Sequence, residues 1–194
     1  MNTDIGMSHL LYVPVVHSSP EMGSAAASYK AAFIARFGEA KWQERNNEYN
    51  AIWQTIRRGV DAAIARRRSD RGRVKLYQDS LPVCGHEADL VTELAAQGSA
   101  NHQLLLALMQ SGATLVGTES PALLLEEYRL LQSPDHTDAQ AAALLEQRDR
   151  FIADRIATTL GEDDLGILFI GALHRVAKYL PRQIAVEYLP IRAS

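Results

Sequence analysis

The chain has 194 residues, 47% hydrophobic and 22% charged, the composition of an ordinary globular domain with room for one sizeable core. A formal net charge of −3 gives no global attraction to an anionic partner, and the single cysteine, Cys84, excludes an internal disulfide and a cysteine-based zinc site. That cysteine count suits a reducing compartment, no apolar run is long enough to span a bilayer, and MNTDIGMSHLLYVPVV has neither a basic leader region nor a small-residue cleavage site. The expectation is a cytoplasmic protein without membrane contact.

The first β-rich run covers residues 9–16. After it, residues 24–68 are rich in Ala, Glu, Lys, Arg and Gln and hold no proline, which predicts one long or two consecutive helices with Gly38 and Gly59 as interruptions. Tyr29, Phe33, Phe37, Ile52, Ile56, Val60 and Ile64 recur at spacings near four and mark the faces to be buried. A protruding helical hairpin is one such arrangement, with Trp42 and Trp53 as packing or partner-facing residues. Arg57, Arg58, Arg66, Arg67, Arg68, Arg71, Arg73 and Lys75, against Asp61 and Asp70, form a local basic patch. No aromatic residues interleave it in the manner of a nucleic-acid module, so it reads as a solvated helix end and loop.

A second strand is predicted at residues 73–78, helices at 86–97 and 101–110, and a third strand at 113–117. SPDHTD at 133–138 is the clearest loop, with Thr137 or Asp138 placed to cap a helix over 138–160. A fourth strand follows at 166–170 and a fifth at 183–189. In the fifth, Ile184, Val186 and Tyr188 alternate with Ala185 and Glu187, the pattern of an edge strand. Short strands alternating with longer helices define an α/β fold: one domain over 1–194 with a mostly parallel sheet of about five strands, helices on both faces, and a helical insertion over 24–68.

In open parallel sheets ligands bind beyond the carboxyl ends of the strands. The residues just past the first four predicted strands are His17, Asp79, Glu119 and His174. Two histidines and one or two carboxylates on a rigid edge form a ligand set for a divalent metal such as zinc, manganese or cobalt, with a position left for water. Alternatively, the histidines are hydrogen-bonded packing residues, and Asp79 and Glu119 are capping groups for the helices that follow, since Asp79 precedes Ser80-Leu81-Pro82 and Glu119 precedes Ser120-Pro121. Leu145, Ile152, Ile156 and Leu160 share a helical stripe with Arg148. A guanidinium on an apolar stripe needs a partner, so Arg148 reaches a carboxylate or an anionic ligand, and Asp149 beside it orients a histidine or a ligand. Otherwise both are solvated with Arg150, Asp154 and Arg155. Cys84 and His86 are two residues apart with no third group, which argues for a small loop residue rather than a nucleophile.

The segments RDRFIADRIATTL and ILFIGALHRVAKYL resemble the C-terminal signature of the TraB and Tiki group, in which an Arg-bearing helix leads into a strand ending Gly-x-x-His. Gly171-Ala172-Leu173-His174 matches that motif in full. The group's paired motif after the first strand corresponds to Val13-Pro14-Val15-Val16-His17, where Pro14 stands in place of glycine; its acidic residue corresponds to Asp79 or Glu119. Residues 24–71 have no counterpart. The resemblance implies a histidine-bearing strand edge, which in Tiki members serves metal-dependent proteolysis, in the related erythromycin esterases activates water, and in ChaN-like relatives is associated with haem.

The leading expectation is a hydrolase acting on a small-molecule or peptide substrate. His17, Glu119, Arg148 and His174 are its catalytic candidates, and His17, Asp79, Glu119 and His174 its metal ligands. The alternatives, both favoured somewhat by Pro14, are a non-catalytic protein binding haem or a small ligand, and an interaction protein meeting a partner or a second copy through the insertion.

Overall fold

A computed structural model describes residues 7–15, 25–67 and 73–190. The elements in chain order are β1 (Ser8–Val15), α1 (Ala25–Phe37), α2 (Glu39–Arg66), β2 (Val74–Gln78), α3 (Glu87–Ala96), α4 (Ala100–Gln110), β3 (Thr114–Val116), α5 (Pro121–Gln132), α6 (Asp138–Thr159), β4 (Leu165–Gly171) and β5 (Ile184–Tyr188), with a short 3-10 turn at Val176–Lys178. The five strands form one sheet in the order β3-β2-β4-β1-β5, and every neighbouring pair is parallel. The α/β architecture expected of the sequence is therefore present, with β5 on an edge. Among the described residues no helix is long and apolar enough to cross a membrane.

Alternation along the strands sorts side chains onto two faces. Leu11, Val13, Leu76, Ile167 and Phe169 face one way and pack with α2, α3 and α4; Leu10, Tyr12, Tyr77, Leu168 and Ile170 face the other and pack with α6 and the 3-10 turn. Burying each such side chain contributes about 1.5–3 kcal/mol, and the central strands β1 and β4 read as nearly unbroken apolar runs, LLYVPV and LGILFIG. The chain leaves β2 toward the α3 and α4 face, and leaves β3 and β4 toward the α6 face. Parting of the connections opens a crevice past the carboxyl ends of these strands.

Pro14 sits inside β1, where a missing N–H would break a ladder. Tyr12, on the same side of the strand, bonds toward β5 through Leu189, but β5 ends at Tyr188, so the donorless side of Pro14 faces no strand.

The insertion contains two helices. Gly38, at φ 86, takes a left-handed conformation that a side chain would strain, and this divides α1 from α2. Gly59, the other expected interruption, stays inside α2. Ile56, Val60 and Ile64 are buried as their spacing requires, together with Trp53 and Ala63. Phe37 departs from expectation: it is 52% exposed, because α1 packs chiefly on the N-terminal part of α2, where Tyr29 and Phe33 stack on Trp42, and Phe37 lies at the end of that contact.

One helix is given no range by the sequence and enters there only as the one that Glu119 would cap. α5 begins at Ser120, whose hydroxyl accepts from Leu123 N, with Pro121 in the first turn, yet none of its residues is buried. At the next helix Thr137 and Gln140 form a reciprocal capping box, fixing the start of α6 where the sequence placed it.

Candidate functional site

Three of the four strand-end residues meet. Asp79, Glu119 and His174 follow β2, β3 and β4, which are adjacent in the sheet, and one ligand atom of each lies within 4.8 Å of the others. All three are buried, with exposures of 6%, 0% and 7%. His17 lies outside the described residues. β1, which precedes it, ends at Val15 in register with Gly171, at the same edge as β4.

Backbone constraints hold each group. Past β2 and β3 the chain continues to pair: Thr118 N and Glu119 N both donate to Leu81 O, and Val83 N donates to Glu119 O. Gly117 makes this approach feasible, since a Cβ there would fall 2.9 Å from the Val83 Cα. Gln78 N donates to Thr118 Oγ1, tying the two strand ends together. At β4, Gly171 N donates to Asp79 Oδ2 at 3.0 Å, and His174 N closes a turn back to Gly171 O. The Gly-x-x-His spacing is thus a turn that places the imidazole over the neighbouring strand end. The hydroxyl of Tyr12 donates to His174 O from below.

Helix α6 supplies the other half. Arg148 and Asp149 are 3% and 2% exposed, so neither belongs to the charged outer face of the helix. The Arg148 guanidinium forks onto Glu119, with Nη2 to Oε1 at 2.6 Å and Nε to Oε2 at 3.3 Å; Nη2 also donates to Asp79 Oδ1 at 3.0 Å. Its Nη1 donates to Glu127 of α5 at 2.5 Å. Asp149 accepts from His174 Nδ1 at 2.6 Å and, through its other oxygen, from Arg175 N at 2.7 Å. With Nδ1 so engaged, Nε2 faces Asp79 Oδ1 at 3.5 Å.

Neither Asp79 nor Glu119 caps a helix. No helix begins directly after Asp79, and Ser120 caps α5. Glu127 was not legible in the sequence, since its contact depends on how α5 lies across α6. Cys84 is exposed, and His86 beside it pairs with Asp89.

Four carboxylates (Asp79, Glu119, Glu127 and Asp149) surround one guanidinium and one imidazole. Negative groups outnumber positive ones even when the imidazole is protonated, and the titration of the cluster reflects this. Burial by itself would depress His174, but its bonds to Asp149 and Asp79 and the Asp79 charge outweigh that and raise it to about 9. Burial would raise Asp79, yet the His174 bond and charge, the Arg148 charge and the Gly171 N–H hold it well below the usual carboxylate range. Glu119 moves the other way: burial pushes it up and the Asp79 charge adds to this, against the opposing pull of Arg148. Burial opposes the Arg148 charge, but Glu119, Asp79 and Glu127 more than restore it.

The donor set fits a divalent cation. Two carboxylates and an imidazole are oxygen and nitrogen ligands of the kind zinc, manganese and cobalt accept, and a carboxylate on Nδ1 is the usual outer partner of a metal-ligating histidine. The two Glu119 oxygens that Arg148 occupies each keep a second lone pair, whereas Asp79 Oδ1 accepts from both Arg148 and Ser80.

Fold and site together define a parallel α/β protein with a buried, acid-rich polar cluster at its strand ends. Compared with protein families, with curated proteins and with solved structures, the chain matches none.

Proposed function

We propose that this chain is a divalent-cation-dependent hydrolase, with Asp79, Glu119 and His174 as cation ligands. The observation that carries this reading is the convergence of three buried ligand atoms within 4.8 Å, with Asp149 behind the histidine. A bound cation supplies a water of lowered pKa and an electrophile for a carbonyl or phosphoryl oxygen. Asp149 fixes the ring so that Nε2 is presented to the cluster. Arg148, with Glu119, Asp79 and Glu127 as acceptors, is a positioning residue that holds the carboxylates in place between like charges. His17 remains a candidate further ligand, following Val15 by two residues. The likeness of Gly171-Ala172-Leu173-His174 to the TraB and Tiki motif supports the same reading. We assign the protein to the cytoplasm on its single cysteine, an exposed thiol suited to reducing surroundings.

The test is titration of chelator-treated protein with Zn2+, Mn2+ and Co2+ by calorimetry, beside the Asp79→Asn, Glu119→Gln and His174→Ala variants. The expected result is one tight equivalent in the parent and at least a hundredfold weaker binding in each folded variant. A parent that takes up none of these cations below millimolar concentration overturns the proposal.

The 2.6 Å bond between Asp149 and His174 favours one second reading, a metal-free carboxylate–imidazole pair that moves a proton to or from substrate. Activity that survives a chelator but is lost in Asp149→Asn selects it.

A further inference from the structure

Beside the cluster, toward α3 and α4, lies a cavity of about 370 Å3 that Asp79 helps to line. Its wall is apolar: Leu81 and Pro82 from the segment after β2, Leu90 and Leu94 from α3, and Leu124 from α5. Among the described residues Asp79 is the only carboxylate in that lining, no Lys or Arg belongs to it, and His102 of α4, its Nδ1 2.8 Å from Ser99 Oγ, adds one imidazole. Gln78, at the polar end, is tied down, donating to Asp79 O at 3.1 Å and accepting from Asn101 Nδ2 at 2.8 Å. Ser80, at the same end, is held at φ 62, a conformation rarely adopted by a residue with a side chain, and its hydroxyl donates to Asp79 Oδ1 at 3.2 Å. The chamber therefore has an apolar body and a polar end shared with the proposed cation ligands. Its volume is at the small end of the roughly 300–1,000 Å3 range of ligand pockets, enough for a short acyl chain or one apolar side chain.

We propose that this cavity is the substrate pocket of the cluster and takes the uncharged, apolar acyl part of an ester or amide, with the carbonyl to be cleaved lying at Asp79. This rests on the hydrolase reading. In the reaction the oxygen of water bonds to the carbonyl carbon, the bond from that carbon to the alcohol oxygen or amine nitrogen breaks, and the leaving group takes a proton from the water. On one side the wall is closed by α5, which contributes Leu124 while burying none of its own residues. Anionic acyl groups are disfavoured, because Asp79 stands at the polar end and, among the described residues, no Lys or Arg lines the cavity.

Hexanamide and acetamide, neutral probes that share a carbonyl and differ in chain length, separate this proposal from the reading beneath it. Each buried methylene tightens binding by up to about fourfold, so hexanamide binds at least tenfold tighter than acetamide and shifts the methyl NMR signals of Leu81, Leu90, Leu94 and Leu124. Leu94→Trp and Leu124→Trp, on separate helices, each weaken hexanamide at least tenfold, while uptake of Zn2+ stays as in the parent. Equal affinity for the two amides, or undiminished hexanamide binding in both folded variants, overturns the proposal. Hexanamide binding of this kind in a protein that takes up no cation and cleaves no ester overturns the hydrolase reading alone and leaves the apolar ligand class standing; cation uptake without chain-length preference does the reverse.

Discussion

Removing the Arg148 guanidinium would leave Asp79 and Glu119 buried beside each other without their shared counter-charge. Arg148→Met should therefore destabilise the fold by about 3–5 kcal/mol, the cost of orphaning buried charges, as measured by urea denaturation at neutral pH. A loss under 1 kcal/mol would mean the carboxylates are solvated or protonated instead. Asp149 acts more locally. Its substitution by Asn removes the anionic acceptor at His174 Nδ1, so the His174 pKa should fall from about 9 and cation affinity should drop by roughly 10–100-fold. Imidazole NMR titration reads the first effect and calorimetry the second; an unshifted titration would show that Asp79 alone sets the histidine. Both residues were legible through one inference, that charge on an apolar helical stripe requires a partner. Which acceptor Arg148 would choose was not, because Asp79 and Glu119 lie 40 positions apart in the chain and meet only through strand pairing.

At the scale of the elements, α2 divides in two. Its C-terminal half, with Trp53, Ile56, Val60, Ala63 and Ile64, is part of the core against the sheet, whereas its N-terminal half carries α1 with Trp42 as the main buried contact. Ile56→Ala should cost about 2–5 kcal/mol by the loss of a fully buried side chain, and Phe37→Ala should stay within about 0.5 kcal/mol. Comparable losses in the two variants would mean that α1 is as integral as α2. In α5, Leu123, Leu124, Glu127 and Leu130 share a half-buried stripe at helical spacing, while Leu125, Tyr128 and Leu131 are 47%, 64% and 61% exposed. The apolar residues spread over both faces blurred that stripe in the sequence, and the Ser-Pro start was the clearer local signal.

The molecule as a whole should show a pH dependence of stability set by the cluster. Asp79 has a folded pKa below its ordinary 3.8, so its contribution is present above that value and is lost as pH falls toward the depressed one. His174 is raised from 6.5 to about 9, so its contribution is complete below 6.5 and is lost as pH rises through 9. Urea midpoints of chelator-treated protein should fall as pH rises from 6.5 through 9, and His174→Gln should flatten that decline. An alkaline decline of the same size in that variant would assign it to other groups. Toward acid the loss from Asp79 sets in only below 3.8 and is opposed by Glu119, whose raised pKa favours the fold at low pH.

The amino-acid sequence by itself determined the class of fold, since apolar runs of strand length separated by helical periods can be buried on both faces only in a parallel sheet with crossover helices. It also placed Asp79, Glu119 and His174 near strand ends, since Asp79 follows its run directly and the other two lie within three residues of theirs. Tertiary structure decided what those ends touch. Any of the apolar runs could occupy any inner place in the sheet, and the order β3-β2-β4 is what brings Glu119, Asp79 and His174 side by side. The packing of α6 on that face decided that Asp149, and not another group, sits behind His174, and the packing of α5 on α6 added Glu127 on the arginine, a contact that leaves no local trace in the chain.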